Sequence, residues 1–259
     1  MSNLFENIKN DIKEKHRDNK DLPKIVSNFI TGYYTENILH TAYKRITKHN
    51  VIQTNRTNVE SWYEYLYKTK DMKDLTTNEI IDCKQQTLDV KKRSISIRKK
   101  QVDRNNSYKT SPDIYEILIS PFRQNGEIVE SPFNYHLFML FNDKFQECIK
   151  YKKLRILDEN TKDARYSIPL PQLEDYNTHS PGRIERYQEY KQPHYTLESY
   201  NPIELIIPHG ELNESEIKEY NDNITRELEK ENLLDVNAST QYNIVNTTKN
   251  NKPVFERKK

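Results

Sequence analysis

Seven histidines and two cysteines are the residues in this 259-residue chain whose types could carry chemistry by themselves, and their spacing organises none. Cys83 and Cys148 lie far apart and outside any C-x-x-C, which leaves neither a disulfide framework nor a zinc knuckle. Both read as ordinary small residues, compatible with a reducing compartment. No two histidines form a metal-ligand pair, and H-E-x-x-H, G-x-S-x-G and a glycine-rich phosphate loop are all missing from a chain with 4 glycines. His136 sits among phenylalanines and reads as a core or boundary residue. His179, His194 and His209 fall in a Pro/Tyr stretch that offers a metal little rigidity. The expectation is therefore no enzyme, no cofactor and no metal.

Two further features bear on chemistry. Pro112-Asp113 resembles the opening of a metal-dependent nuclease core, but no acid-x-lysine triplet follows it on the next strands. Between Lys84 and Arg104, eight basic residues (Lys84, Lys91, Lys92, Arg93, Arg98, Lys99, Lys100 and Arg104) face only Asp89 and Asp103. Such a run can neutralise phosphates in a salt-sensitive, sequence-independent way, although no aromatic platform is interleaved with it. It equally suits a solvated helix face or contact with an acidic strip on another copy.

The elements that must position these residues read as α+β. Residues 1–110 are expected to be mainly helical. Leu4, Phe5, Ile8 and Ile12 form one stripe, Pro23 suits the first turn of a second helix, and Ile38, Leu39, Ala42 and Ile46 mark a third beyond Gly32. Asn58 can cap a helix carrying Val59, Trp62, Tyr63 and Leu66. Thr76 and Glu79 have capping-box spacing, and a long polar helix from about 78 to 104 is expected, with Ile81, Leu88, Ile95 and Val102 as its one apolar line. Ser94 to Arg98 alternates like a strand and is the competing reading there.

Residues 111–170 read as a small α+β unit with two hairpins. Asp113 to Ile119 returns through Asn125-Gly126 to Glu127–Glu130, and Lys153–Leu157 pairs with Arg165–Ile168. Ser131-Pro132 starts an expected core helix with Leu137, Phe138, Leu140, Phe141, Phe145 and Ile149. Residues 171–210 read as an extended arm, with Tyr176, Tyr187, Tyr190, Tyr195 and Tyr200 available for subunit contacts, ending in an edge strand. Residues 211–235 hold an acidic helix with Ile217, Tyr220, Ile224 and Leu228 on one face, and 236–259 form a polar tail.

Composition then narrows the partners. Apolar residues including 18 tyrosines make up 34% of the chain, so the material for a core is scarce. Residues 1–110 sum to +8 and the later parts to −4 and −2, a polarity suited to head-to-tail contact between copies. No apolar run approaches the roughly 18 residues that span a bilayer, and the N-terminus has no signal-like apolar stretch, so membrane and secretion are not expected. Abundant Asn and Lys beside 3 Ala point to an AT-rich genome.

In length, composition and layout the chain resembles the collar and head-to-tail connector proteins of small tailed phages. That resemblance implies a structural virion component, assembled in the host cytoplasm as a homo-oligomeric ring through which DNA is ejected. Copies of itself, portal and tail proteins, and DNA held by non-specific phosphate contacts would be its partners. The basic segment would face the channel and the tyrosine arm would clasp a neighbour. The alternative expectation is a nucleic-acid-binding accessory protein that uses the basic segment 84–104.

Overall fold

The computed structural model describes residues 3–56, 59, 61–67, 70–88, 94–107, 111–124, 127–129, 135–170 and 205–234. The fold is α+β, with N-terminal helices, mixed sheet and a C-terminal helix. Helices α1 (Asn3–Lys15) and α2 (Leu22–Thr47) open it. Pro23 occupies the first turn of α2, where its missing N–H costs nothing. Lys48 ends the helix in the left-handed region, at φ 61°, with its N–H returned to the Lys44 carbonyl. Two expected helices are thus one: Gly32 lies inside α2, because apolar residues from Val26 to Tyr43 keep helical spacing straight through it. Phe5 of α1 stacks on Phe29 at 5.4 Å and meets Tyr33 edge-on at 4.8 Å.

Next come β1 (Val51–Gln53), a single 3-10 turn (Thr54–Arg56), α3 (Trp62–Tyr67), β2 (Met72–Asp74), β3 (Ile80–Leu88), β4 (Ser94–Arg98) and α4 (Lys99–Ser107). The long helix expected over 78–104 is therefore corrected to strand, strand and short helix. Its apolar line was half a seam, which cannot bury a helix, whereas alternation lets the same residues serve two layers. The supposed capping box is the β2–β3 turn: Thr76 and Thr77 N–H donate to Asp74 Oδ1, and Asn78 takes φ 64°.

The remaining elements are β5 (Ile114–Gln124), β6 (Glu127–Val129), β7 (His136–Phe141), α5 (Asn142–Lys150), β8 (Arg155–Leu157), β9 (Arg165–Pro169), β10 (Ile206–Glu211) and α6 (Glu214–Lys230). Both hairpins, β5–β6 and β8–β9, form. The expected phenylalanine-rich helix is corrected to a strand followed by a shorter helix. Leu137, Phe138, Leu140 and Phe141 face both layers of a sheet covered on both sides, which calls for a continuous apolar run. At α6 the side chain of Asn213 accepts from the Glu216 N–H, and the Glu216 carboxylate accepts from the Asn213 N–H.

Seven strands form one sheet in the order β1-β2-β3-β5-β7-β10, with β6 beside β5. Pairing is antiparallel except between β3 and β5, so the boundary at 110/111 falls between strands that are hydrogen-bonded neighbours. One face carries α1, α2, α3 and α6 over Val51, Met72, Ile81, Ile114, Leu118 and Ile207. The other carries α4, α5 and the small sheet β4-β9-β8 over Tyr115, Ile117, Ile119, Phe138 and Leu140. Among the described residues no helix is long and apolar enough to cross a membrane.

Candidate active site

The β2–β3 hairpin pairs Lys73 with Ile80 and Met72 with Ile81, and one more step in that register sets Asp71 opposite Asp82. The Cys83 N–H donates to Asp71 Oδ2 at 2.6 Å, and the two carboxyl groups lie close enough for each to act on the other's charge. Side chains two apart on a strand share a face. Lys84 therefore stands beside Asp82, its Nζ 2.7 Å from Oδ2. Above them α4 reaches down, and Gln101 Nε2 donates to Asp82 Oδ2 at 3.3 Å.

A second carboxylate shell comes from the helical layer. Glu36 of α2 accepts from Asn55 Nδ2 at 2.7 Å, from Arg56 at 3.2 Å and from the Tyr65 hydroxyl. The same Asn55 amide donates to Asp71 Oδ1 at 3.3 Å, so one side chain bridges both acids. Arg56 lies over the Tyr33 ring at 3.3 Å, which fixes its guanidinium against Glu36.

Electrostatics separates the acids. Burial, reinforced by the charges of Glu36 and Asp82, pushes Asp71 well above the ordinary carboxylate range. Burial also raises Glu36, against the pull of Arg56. Asp82 is held low: burial opposes this, but Lys84 and Lys70 outweigh it. Lys84 remains charged, because Asp82 and Asp71 more than offset its burial. Lys70 is lowered by burial and by the nearby Lys84 and Arg104. The two acids are thus driven apart, Asp71 toward its protonated form and Asp82 toward its charged form, inside a rim of three cations.

No family model, curated protein or solved structure matches this chain. The assignment of the site therefore stands on its geometry. All-oxygen donors suit a hard divalent cation, which binds carboxylates in their deprotonated form. Among the described residues no three His, Cys, Asp or Glu side chains group as a ready-made ligand set. Asp71 and Asp82 supply two ligands, as many as Mg²⁺ commonly takes from protein before water and substrate phosphate complete its shell.

The described residues of the basic segment are spread over β3, β4 and α4. Lys84 points into this site, Lys99 pairs with Asp103 at 2.6 Å, and Arg98 and Lys100 are exposed at the β4–α4 junction. Arg104 borders Lys70. Lys91, Lys92 and Arg93 lie outside the described residues, as do the arm tyrosines 176, 187, 190, 195 and 200.

His136 is on β7, not on a helix, with Nε2 2.9 Å from Glu211. His209 is buried on β10, its Nδ1 2.6 Å from Glu116 Oε1, and meets Tyr43 edge-on. Tyr43 donates to Asp74, which also binds His49 at 2.6 Å. Both cysteines are buried and unbridged. Asp71, Asp82 and Glu36 were not singled out in the sequence. The available signal was the triplet Asp82-Cys83-Lys84, the acid-x-lysine sought after Pro112-Asp113 and found before it.

Proposed function

We propose that this chain is a nuclease, cleaving phosphodiester bonds with a divalent cation held by Asp71 and Asp82. One observation carries the reading: Asp71, one residue before β2, and Asp82 on β3 fall opposite each other in the hairpin register, with Lys84 2.7 Å from Asp82 on the same face. A bound cation supplies Lewis-acid polarisation of the phosphate and an activated water. Asn55 and Gln101 hold the carboxylates in orientation. Lys84, kept protonated, serves as a donor to a phosphate oxygen carrying developing charge, not as a base. Lys70 and Arg104 give the site mouth the sign that attracts a polyanion.

This reading departs from the expectation of no enzyme and no metal, and keeps the nucleic-acid partner of the alternative expectation. The collar ring remains a separate proposal. Its premise was scarce core, yet both apolar clusters close within one chain, and its test is particle mass in solution.

The test of the nuclease is cleavage of labelled single-stranded and duplex DNA and RNA by the full chain, with Mg²⁺, Mn²⁺ or chelator. Titration calorimetry of each metal runs alongside. Metal-dependent cleavage, lost in Asp82→Asn and Lys84→Ala, is expected. A wild-type chain that binds neither metal, or cleavage that Asp82→Asn retains, overturns it.

A further inference from the structure

Among the described residues, the layer formed by α4, α5 and the small sheet stops at β3. On β5 the residues under that layer, Tyr115, Ile117 and Ile119, have no exposed surface. On the same face of the hairpin, Ile52, Leu75 and Ile80 are 42%, 46% and 37% exposed. Register puts them together: Ile52 pairs with Lys73, Lys73 pairs with Ile80, and the Leu75 N–H reaches the Asn50 carbonyl. Their inward neighbours Val51, Met72, Asp74 and Ile81 are buried against the helical layer, so the outward set forms one continuous apolar floor around Lys73.

That floor is continuous with the site. Ile80 precedes Asp82 by two residues on the same face of β3, about 6.7 Å along the strand. Gln86 marks the wall: its amide accepts from the Ser96 N–H at 2.9 Å and donates to the Ser96 carbonyl at 2.5 Å, docking β4 against β3 as a strand would. The chain then runs from β4 into α4 and brings Gln101 down onto Asp82. The result is a step, with β1–β3 as tread, α4 as riser, and the acid pair with Lys84 in the corner.

We propose that this tread binds the segment of an unpaired nucleic-acid strand next to the phosphate being cleaved. The inference rests on the nuclease reading and names its substrate class, single-stranded over duplex nucleic acid. A duplex turns phosphates and sugars outward and buries the faces of its bases, so three exposed aliphatic side chains gain nothing from it. An unpaired strand can lay base faces on Ile52, Leu75 and Ile80 while Lys73 and Lys84, about 13 Å apart along β3, take phosphates of the same strand. Three cations favour the polyanion, Lys73 on the floor and Lys70 and Arg104 at its border, against the Asp113 carboxylate that accepts from the Ile80 N–H at 2.8 Å at the floor's far end.

The test is fluorescence anisotropy of a labelled 20-nucleotide single strand and of the matching duplex, in chelator so that nothing is cut. Variants are Ile52→Asp, Leu75→Asp and Lys73→Glu, all at outward positions, with circular dichroism and mass in solution as fold controls. The wild type is expected to bind the single strand about tenfold tighter than the duplex, and each Asp variant to lose about tenfold of that. Lys73→Glu should also lower the salt dependence by about one phosphate contact. Equal affinity for both forms, or Asp variants that bind like the wild type, overturns the proposal. So does an Asp variant that converts a dimer to a monomer, since the floor would then be a contact between copies. Binding that follows the expected pattern without any metal-dependent cleavage leaves the floor standing and removes the nuclease reading.

Discussion

Replacing Asp71 by Asn should make the protein more stable and remove its response to metal. Asp71 is half-buried beside two other acids and its carboxyl is pushed well above the usual range, so the folded state favours its protonated form. For an acid raised in this way, the cost to folding begins as pH passes the unfolded value, near 4. It grows until the folded value is reached and is constant above that. Each unit of displacement costs ~1.4 kcal/mol. In a domain of this size that is about 3–5 °C in Tm. Asn keeps an acceptor for the Cys83 N–H, gives up only the 3.3 Å contact from Asn55, and carries no charge to repel Asp82.

Thermal melts in chelator should therefore place Asp71→Asn above the wild type at pH 7.5, with the gain shrinking toward pH 4.5. With Mg²⁺ at ten times its Kd the wild type should gain ~1.4 kcal/mol, about 3–5 °C, and the variant nothing. A variant that melts below the wild type at pH 7.5 in chelator, or a gain of equal size at both pH values, would refute the account of the acid pair.

Three other substitutions test the scaffold. A Cβ added at Gly32 meets nothing within 4 Å, so Gly32→Ala should stabilise α2 by about 0.5–1 kcal/mol in urea unfolding, and a loss would mean the helix is interrupted there. Lys9 lies buried among Glu6, Glu227 and Glu231 where α1 meets α6, and Lys9→Met should cost about 3 kcal/mol by leaving Glu227 without that partner; a neutral result would show that Lys230 suffices. Burial opposes it, but His49, Thr76 and Thr77 hold Asp74 below the usual carboxylate range, so its stabilisation is full above pH ~4 and fades as pH falls through the lowered value. Asp74→Asn should thus cost about 1–3 kcal/mol at pH 7 and converge with the wild type in stronger acid, and a pH-independent difference between the two unfolding curves would contradict this.

The helices that the sequence made legible are those whose burial is one-sided. Phe5, Ile8 and Ile12 on α1, and Tyr220, Ile224 and Leu228 on α6, lie on a single buried face of each helix and keep helical period. The capped start at Asn213 needs only four residues to be recognised. What failed was arbitration between periods where two layers act at once. Ile81 and Cys83 pack under the helices while Asp82 and Lys84 face the other way, so the apolar signal of β3 is halved and a seven-residue line of Ile and Leu could pass for a helix. In β7 the opposite happened: both faces are buried, alternation vanishes, and length alone separates strand from helix.

The same arbitration hid the site. On a helix, residues two apart lie about 200° around the axis, so Asp82 and Lys84 could not act on one phosphate and read as scattered surface charge. On a strand they share a face, and only then does the acid-x-lysine spacing acquire meaning. Asp71 needed a further step, because its position opposite Asp82 follows from the Lys73–Ile80 register, which is set by a turn whose residues, Asp74, Thr76 and Asn78, also satisfy a helix-start pattern. Glu36 arrives from 35 residues upstream through the Asn55 bridge, and no local spacing encodes that meeting. Function was invisible because a single turn had two physically sound readings, and the choice between them moved a lysine and two acids from separate surfaces into one corner.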